Sequence, residues 1–472
     1  MRQHPARDPF VPVVRCAADL LAVVPHTLGY WPADSLVLFA AGGGTAGACV
    51  RVDLPSRPGG ADLEEAFVTE LTDLLRHDAL SDRVFVIVYT SPSPGAPSGE
   101  PAPPAAVDGV LAAADEAARR AGRSVAARWI VAGGRWWPAE DPADVQDVAA
   151  VEDSAVNAAL VASGSSYAAA PRLAMDHEYG ALPAGTDRGA GHAAHRWARS
   201  GRGAWHHLDR LRPALSVWAD VLDAVLDSAA DPVPAVLGLD DGLLGFLAAS
   251  LADPVLADLL LAACATDDLD GVLAGAAMWA ELCDDVDAPG AEDVPIGPTR
   301  VPVPPGVPPV PRRPPAGPEV RAPGPLTAPA PDAGELVRLC RVLAGEWTET
   351  PCWPRLDTLY RVLQVLSWLL DTAGGGPAPE AGTASGATSG AASGRAEDVG
   401  SDAADGRAVL AGVLVELAQL NRFRARGSHT AHFVRRATAL VPGHPPALRV
   451  LRLAEARPVP LWARDRATAW HS

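Results

Sequence analysis

Residues 18–40 read ADLLAVVPHTLGYWPADSLVLFA, and the hairpin-like continuation AGGGTAGACVRVDLP carries the chain to Pro55. The apolar residues of 17–28 recur at helical spacing, and Gly29 follows as a C-terminal cap. Residues 35–40 form a short apolar strand pattern. In 48–54 the pattern alternates strictly, with Val50, Val52 and Leu54 on one face and Cys49, Arg51 and Asp53 on the other. The glycines between them, Gly42-Gly43-Gly44-Thr45-Ala46-Gly47, satisfy GxGxxG. A dinucleotide fingerprint needs a helix next, whereas a strand follows, so these glycines are expected to form a hairpin loop.

Working outward, 11–16 reads as a further strand and 62–80 as an amphipathic helix. Residues 83–90 form a strand apolar on both faces, 105–121 a helix and 124–132 another strand. This alternation predicts an α/β N-terminal domain. Its sheet should be mixed with flanking helices, because the link between 35–40 and 48–54 is short. From about 191 the pattern turns all-α, with helices expected at 208–228, 243–251, 254–264, 269–283, 335–343 and 356–371. Asp231-Pro232 and Asp253-Pro254 fit an N-cap followed by proline at the first helical position.

Two compositional breaks organise the rest. Residues 287–333 form a Pro-rich linker, and 373–406 a flexible Gly/Ala/Ser-rich linker. The expected plan is an α/β domain over 1–140, an irregular connection over 141–190 and a helical domain over 191–286. A helical hairpin over 334–372 and a basic helical hairpin over 407–472 follow the two linkers. In the last of these, Gly427, Ala437 and Pro442 are spaced as in a tetratricopeptide-type hairpin, one copy of which makes an αα-hairpin.

All 39 basic residues are arginine, and the formal net charge is −18. That balance argues against general binding to nucleic acid or to an anionic membrane. Residues 407–472 carry 11 arginines against Glu416, Glu455 and Asp465, a local charge of +8, which leaves −26 on the rest. The basic end therefore suits an acidic protein surface, or the chain's own acidic N-terminal part. Arg422, Arg424, Arg426, Arg435 and Arg436 are the candidate partner-binding residues. No run approaches the ~18 apolar residues of a membrane helix, the first ten residues lack an apolar signal core, and the six cysteines contain no CxxC. These features lead to the expectation of a cytoplasmic protein without a cofactor.

The DLL, PHTLGYWPADSLV and RVDLP elements, here Asp19–Val37 and Arg51–Pro55, resemble an actinobacterial family known as domain-of-unknown-function family 4192. The GRWW at 134–137, the segment from Asp153 and the ATALVPGH at 437–444 share that resemblance. The family implies kinship and no activity. Members often carry a cysteine-rich segment after the GRWW-like strand. This chain has no cysteine between Cys49 and Cys264, so the resemblance implies no metal there.

The turn at Tyr30–Ser35 is where chemistry is expected in the first domain. Tyr30, Asp34 and Ser35, with Arg51 and Asp53 on the neighbouring strand, are the candidate ligand-binding residues. Ser35, His26 and Asp53 are also the residue types of nucleophilic catalysis, without a G-x-S-x-G elbow. The alternative is that Asp34 and Ser35 merely stabilise the turn. His177, His192, His195, His206 and His207 cluster, and His429 and His432 form a second pair, but neither lies in a metal-site motif. No metal is assigned. The functional expectation is a non-catalytic interaction or regulatory protein. The alternatives are a small-molecule binder or enzyme using the turn, and a DNA-associated protein using the basic end.

Overall fold

The computed structural model describes residues 13–55, 61–78, 81–90, 104–169, 189–201, 208–227, 232–286, 330–373, 396–465 and 467–470. The chain divides into two compact units, Met1–Gly180 and Ala181–Ser472.

In the first unit the elements run α1 (Ala17–Leu28), β1 (Ser35–Gly42), β2 (Thr45–Asp53), α2 (Ala61–Arg76), β3 (Arg83–Thr90), α3 (Pro104–Arg120), β4 (Ser124–Ala132), β5 (Arg135–Pro138), β6 (Gln146–Asp147), α4 (Ala149–Glu152) and α5 (Ala155–Ala162). The sheet order is β2-β1-β3-β4-β5-β6. Only β3 and β4 are parallel, joined across α3, while the other neighbours are antiparallel. The sheet is therefore mixed. Gly43 and Gly44, with φ of 58° and 81°, make the β1–β2 connection a tight hairpin, a conformation that glycine adopts without strain.

Both faces of the central strands are covered. Leu36, Leu38, Val84, Val86 and Val88 pack under α2 and α3, against Leu71, Leu75, Ala114 and Ala117. Val37, Phe39, Ile87, Tyr89, Trp129 and Val131 pack under α1, against Leu20, Leu21 and Val24. Two-sided burial explains why β3 reads as a continuous apolar run.

Two sequence expectations fail: 396–406, read as the end of the Gly/Ala/Ser-rich linker, are helical, and residues 13–16 of the 11–16 segment form no strand. The Arg15 amide instead donates to the Asp19 carboxylate at 2.9 Å, which draws these residues into the approach to α1. That bond holds the buried Asp19 carboxyl below its usual range. The 141–190 stretch, read as irregular, contributes β6, α4 and α5.

Among the described residues the second unit is built of helices: α6 (Ala190–Gly201), α7 (Leu208–Leu226), α8 (Pro232–Leu237), α9 (Asp241–Ser250), α10 (Pro254–Thr266), α11 (Leu269–Val286), α12 (Ala333–Ala344), α13 (Trp353–Ala373), α14 (Ala396–Phe423), α15 (Gly427–Leu440) and α16 (Pro445–Ala456), then a 3-10 turn at Leu461–Arg464. Asp253 caps α10 by accepting the amides of Val255 and Leu256, with Pro254 just inside the helix. Asp240 and Asp332 cap α9 and α12 in the same way. Asp231 lies outside the described residues.

One apolar core runs through the unit, from Ala190 and Trp218 through Leu260 and Leu363 to Val413, Phe433 and Trp462. Along α14, Val409, Ala411, Val413, Leu414, Leu417, Ala418 and Leu420 are all buried, so this helix is central. Gly245 lets α9 approach α6 closely: a Cβ there would lie 2.6 Å from the Ala193 backbone. Among the described residues no single helix is long and apolar enough to cross a membrane, and the most apolar pair, α9 and α10, is bent by 100°.

Candidate functional site

The turn between α1 and β1 is fixed at every step. Gly29 ends α1 in the left-handed region, φ 82°, and its amide donates to the Pro25 carbonyl at 2.8 Å. The Trp31 amide donates to Ala168 at 2.8 Å, and the Ala168 amide donates to Gly29 at 3.0 Å, tying the turn to the segment after α5. Asp34 is exposed at φ 44°, and its carbonyl accepts the Leu54 amide at 3.0 Å. Ser35 is 0% exposed, and its hydroxyl donates to the Ala33 carbonyl at 3.0 Å.

Arg51 and Asp53 lie on the same face of β2 and form an ion pair at 2.5 Å, with the guanidinium reaching Ala33 O at 3.4 Å. Ser35, Arg51 and Asp53 thus gather around the Ala33 peptide, while Tyr30 is buried beside them in the chain. The strand register extends this end of the sheet into one row, Asp53–Ser35–Tyr89–Val131–Trp136. The row lies at the carboxyl ends of the parallel strands β3 and β4, where α/β sheets commonly bind ligands.

His26 turns away from Ser35. Its Nε2 is 2.9 Å from Asn157 Oδ1 and its Nδ1 is 2.9 Å from the Ser165 hydroxyl. The Asn157 amide nitrogen donates to Glu152 O at 2.6 Å, so Oδ1 is the acceptor and His26 carries its proton on Nε2. The His26 ring meets Tyr167 edge-on at 4.8 Å, and Trp31 meets Tyr89 edge-on at 6.0 Å.

The sequence reading missed this aromatic cluster. His26 lies 139 positions from its partner Ser165, and Ser154, which caps α5 and positions Asn157, was the one local signal. Tyr89 is buried, its hydroxyl is pushed well above its usual range by burial, and no described residue bonds it. The Trp136 indole N–H is likewise without a partner among the described residues. Burial also raises the Cys49 thiol to about 12, which makes it a poor nucleophile.

If Asp34 serves the backbone, its shape matters more than its charge. Asp34→Val is expected to cost about 1–2 kcal/mol, because a β-branched residue is strained at positive φ. Asp34→Asn should stay within a few tenths of a kcal/mol. Thermal denaturation of both variants checks this; equal losses would assign the role to the carboxylate.

The five arginines of the basic end do not form one surface. Arg422 is buried, bonded to Gln419 Oε1 at 3.0 Å and to the Leu343 carbonyl, and burial draws its guanidinium down to about 10. Arg424 is also buried, paired with Asp357 at 2.5 Å. Arg426 lies over the Trp470 ring at 5.4 Å, Arg436 pairs with Asp371, and Arg435 is exposed.

His192 and His195 lie on α6, His429 and His432 on α15, while His177, His206 and His207 fall outside the described residues. No group of three or more His, Cys, Asp or Glu among the described residues is arranged to hold a metal.

No curated protein and no solved structure matches the chain. The model of a domain of unknown function, DUF4192, matches residues 18–294, more than half of the chain, and the chain belongs to that family.

Proposed function

We propose that this chain is a non-catalytic interaction or regulatory protein whose N-terminal motif is architectural. The observation that carries this reading is Trp279, 58% exposed on α11, with Leu282 exposed one turn further along the same helix. A tryptophan standing in water beside a second apolar residue has the composition of an interaction hot spot. The turn supports the same reading, since Ser35 and Arg51 spend their polar groups on the Ala33 peptide.

Trp279→Ser is expected to leave the thermal midpoint within about 2 °C, as surface substitutions usually do, and to remove stoichiometric partners on affinity purification from the native host. Recovery of the same partners with Trp279→Ser, or of none with the unaltered chain, would overturn the reading.

A second reading, a small-molecule binder at the carboxyl end of β3 and β4, draws on the Tyr89 hydroxyl and the Trp136 indole N–H, which are buried in the same register row, on the strands either side of β4, without partners among the described residues. Asp34, Ser35, Arg51 and Asp53 would then border the ligand. A DNA-associated role of 407–472 has less support, because Arg422 and Arg424 direct their charge inward.

A further inference from the structure

A narrow cleft in the helical unit lies where α9 ends, α10 begins, α14 crosses and α16 starts; Leu251, Pro254, Asp258, Glu416, His444 and Arg449 line it. It exists because Gly412 lets α14 press against the end of α9, where a Cβ would lie 2.5 Å from the Leu251 carbonyl oxygen. Glu416 stands at its wall and is 1% exposed, and its Oε1 has no hydrogen-bond partner among the described residues. His444 Nδ1 and Arg449 Nε are unpartnered in the same way. Three buried polar atoms without partners in one cleft are uncommon in a folded protein and point to an occupant.

The charges around the cleft define that occupant. Asp258 is paired with Arg449 at 2.6 Å, and Asp253 caps α10. Arg422 is the other nearby cation, on α14 itself. With Glu416 neutral, the two aspartates balance the two arginines; with Glu416 ionised, one negative charge is left over. The end of α9 adds the negative pole of its helix. An anion is therefore disfavoured. A metal ion is disfavoured too, since Asp258 is engaged by Arg449 and no three-ligand arrangement is present among the described residues. The free space accommodates about one water-sized group, too little for a guanidinium.

From this geometry we infer that the cleft receives the primary ammonium group of a ligand, with the Glu416 carboxylate as its main acceptor. The apolar walls Leu251, Pro254 and Pro446 suit the alkyl carbon behind the nitrogen. The chain has no lysine side chain of its own to fill the site.

Burial and the neighbouring Asp258 raise the Glu416 carboxyl well above its ordinary range, which favours its protonated form. Binding of the ammonium then releases that proton to solvent. His444, which burial draws below its ordinary range, stays neutral at neutral pH.

The inference does not depend on the surface at Trp279. The test is titration calorimetry of the full chain with n-butylammonium and with Nα-acetyl-lysine amide, against tetramethylammonium at equal ionic strength. Saturable binding of n-butylammonium is expected, with release of about one proton on comparing buffers of different ionisation heat. Glu416→Gln should weaken it by about tenfold or more. Equal or tighter binding of the lysine amide assigns the ligand to protein side chains, and preference for butylammonium assigns it to free amines; both support the inference.

Should Glu416→Gln fail to fold, the unaltered protein still decides. Its affinity must rise about tenfold per pH unit while Glu416 is protonated. Absence of saturable binding, binding without proton release, or equal binding of tetramethylammonium would overturn the inference and leave the cleft to a structural water.

Discussion

Replacing Arg424 by alanine is expected to cost about 3–5 kcal/mol of folding stability, the penalty of breaking a buried ion pair from one side. The Arg424 side chain is 1% exposed, and its guanidinium sits 3.9 Å over the Tyr360 ring centre and 4.8 Å from that of Trp470. The Trp470 indole donates to the same Asp357 oxygen that Arg424 holds, at 3.0 Å. Removing the guanidinium leaves the carboxylate without its cation and opens a void between two aromatic rings. Arg424→Lys should recover little, because an ammonium neither forms the planar fork nor stacks. Arg424→Met should recover more of the packing. Urea unfolding of the three variants checks the order; a loss below about 1 kcal/mol for alanine would place Arg424 among surface ion pairs.

The second large effect is expected at Trp218. It is fully buried in α7, and its indole donates to Ser250 Oγ at 3.0 Å, while Ser250 donates to Leu247 O at 2.8 Å. Trp218→Ala combines lost transfer energy, a cavity and the loss of the bond that Ser250 accepts, for about 3–5 kcal/mol. In a unit of this size that lowers the thermal midpoint by the order of 10 °C. Trp218→Phe keeps most of the ring and should lose about half as much. Calorimetry of both variants is the check.

Glu416 sets a pH dependence whose sign follows from its raised carboxyl. The folded chain keeps a proton that the unfolded chain releases in the ordinary carboxylate range, so N binds more protons than U and stability falls as pH rises. The contribution is fully present below that range and is lost on raising the pH toward the folded-state midpoint. Glu416→Gln removes this loss. Its thermal midpoint should therefore gain on that of the unaltered chain between about pH 5 and pH 8, the interval in which the unfolded carboxylate is ionised. A constant difference would mean that Glu416 is charged in the folded state.

Legibility in the sequence followed the range of the forces involved. β3 lies where its apolar run predicts it, because burial on both faces leaves a nearly unbroken signature, and β4 also keeps its expected bounds. The glycine hairpin was legible for a similar reason: the residues after it alternate with period two, which no helix tolerates. Residues 13–16 misled, since valines favour strands only when a neighbouring strand is present to pair with. At the turn, the sequence identified residues that the fold does gather, Ser35, Arg51 and Asp53, but not that the Ala33 carbonyl collects their donors. The partners of His26 were beyond reach, since no local pattern encodes a contact across more than a hundred residues. Arg422 and Arg424 read as a charged face because composition does not reveal that α14 is surrounded by other helices.

The shared core of α6 to α16 bears on how such a chain can change. Residues 287–329 leave from α11 and return to α12, and 374–395 leave from α13 and return to α14, so each departs from and rejoins the same body. The junctions themselves, Asp332 at the start of α12 among them, are held to one position by the core.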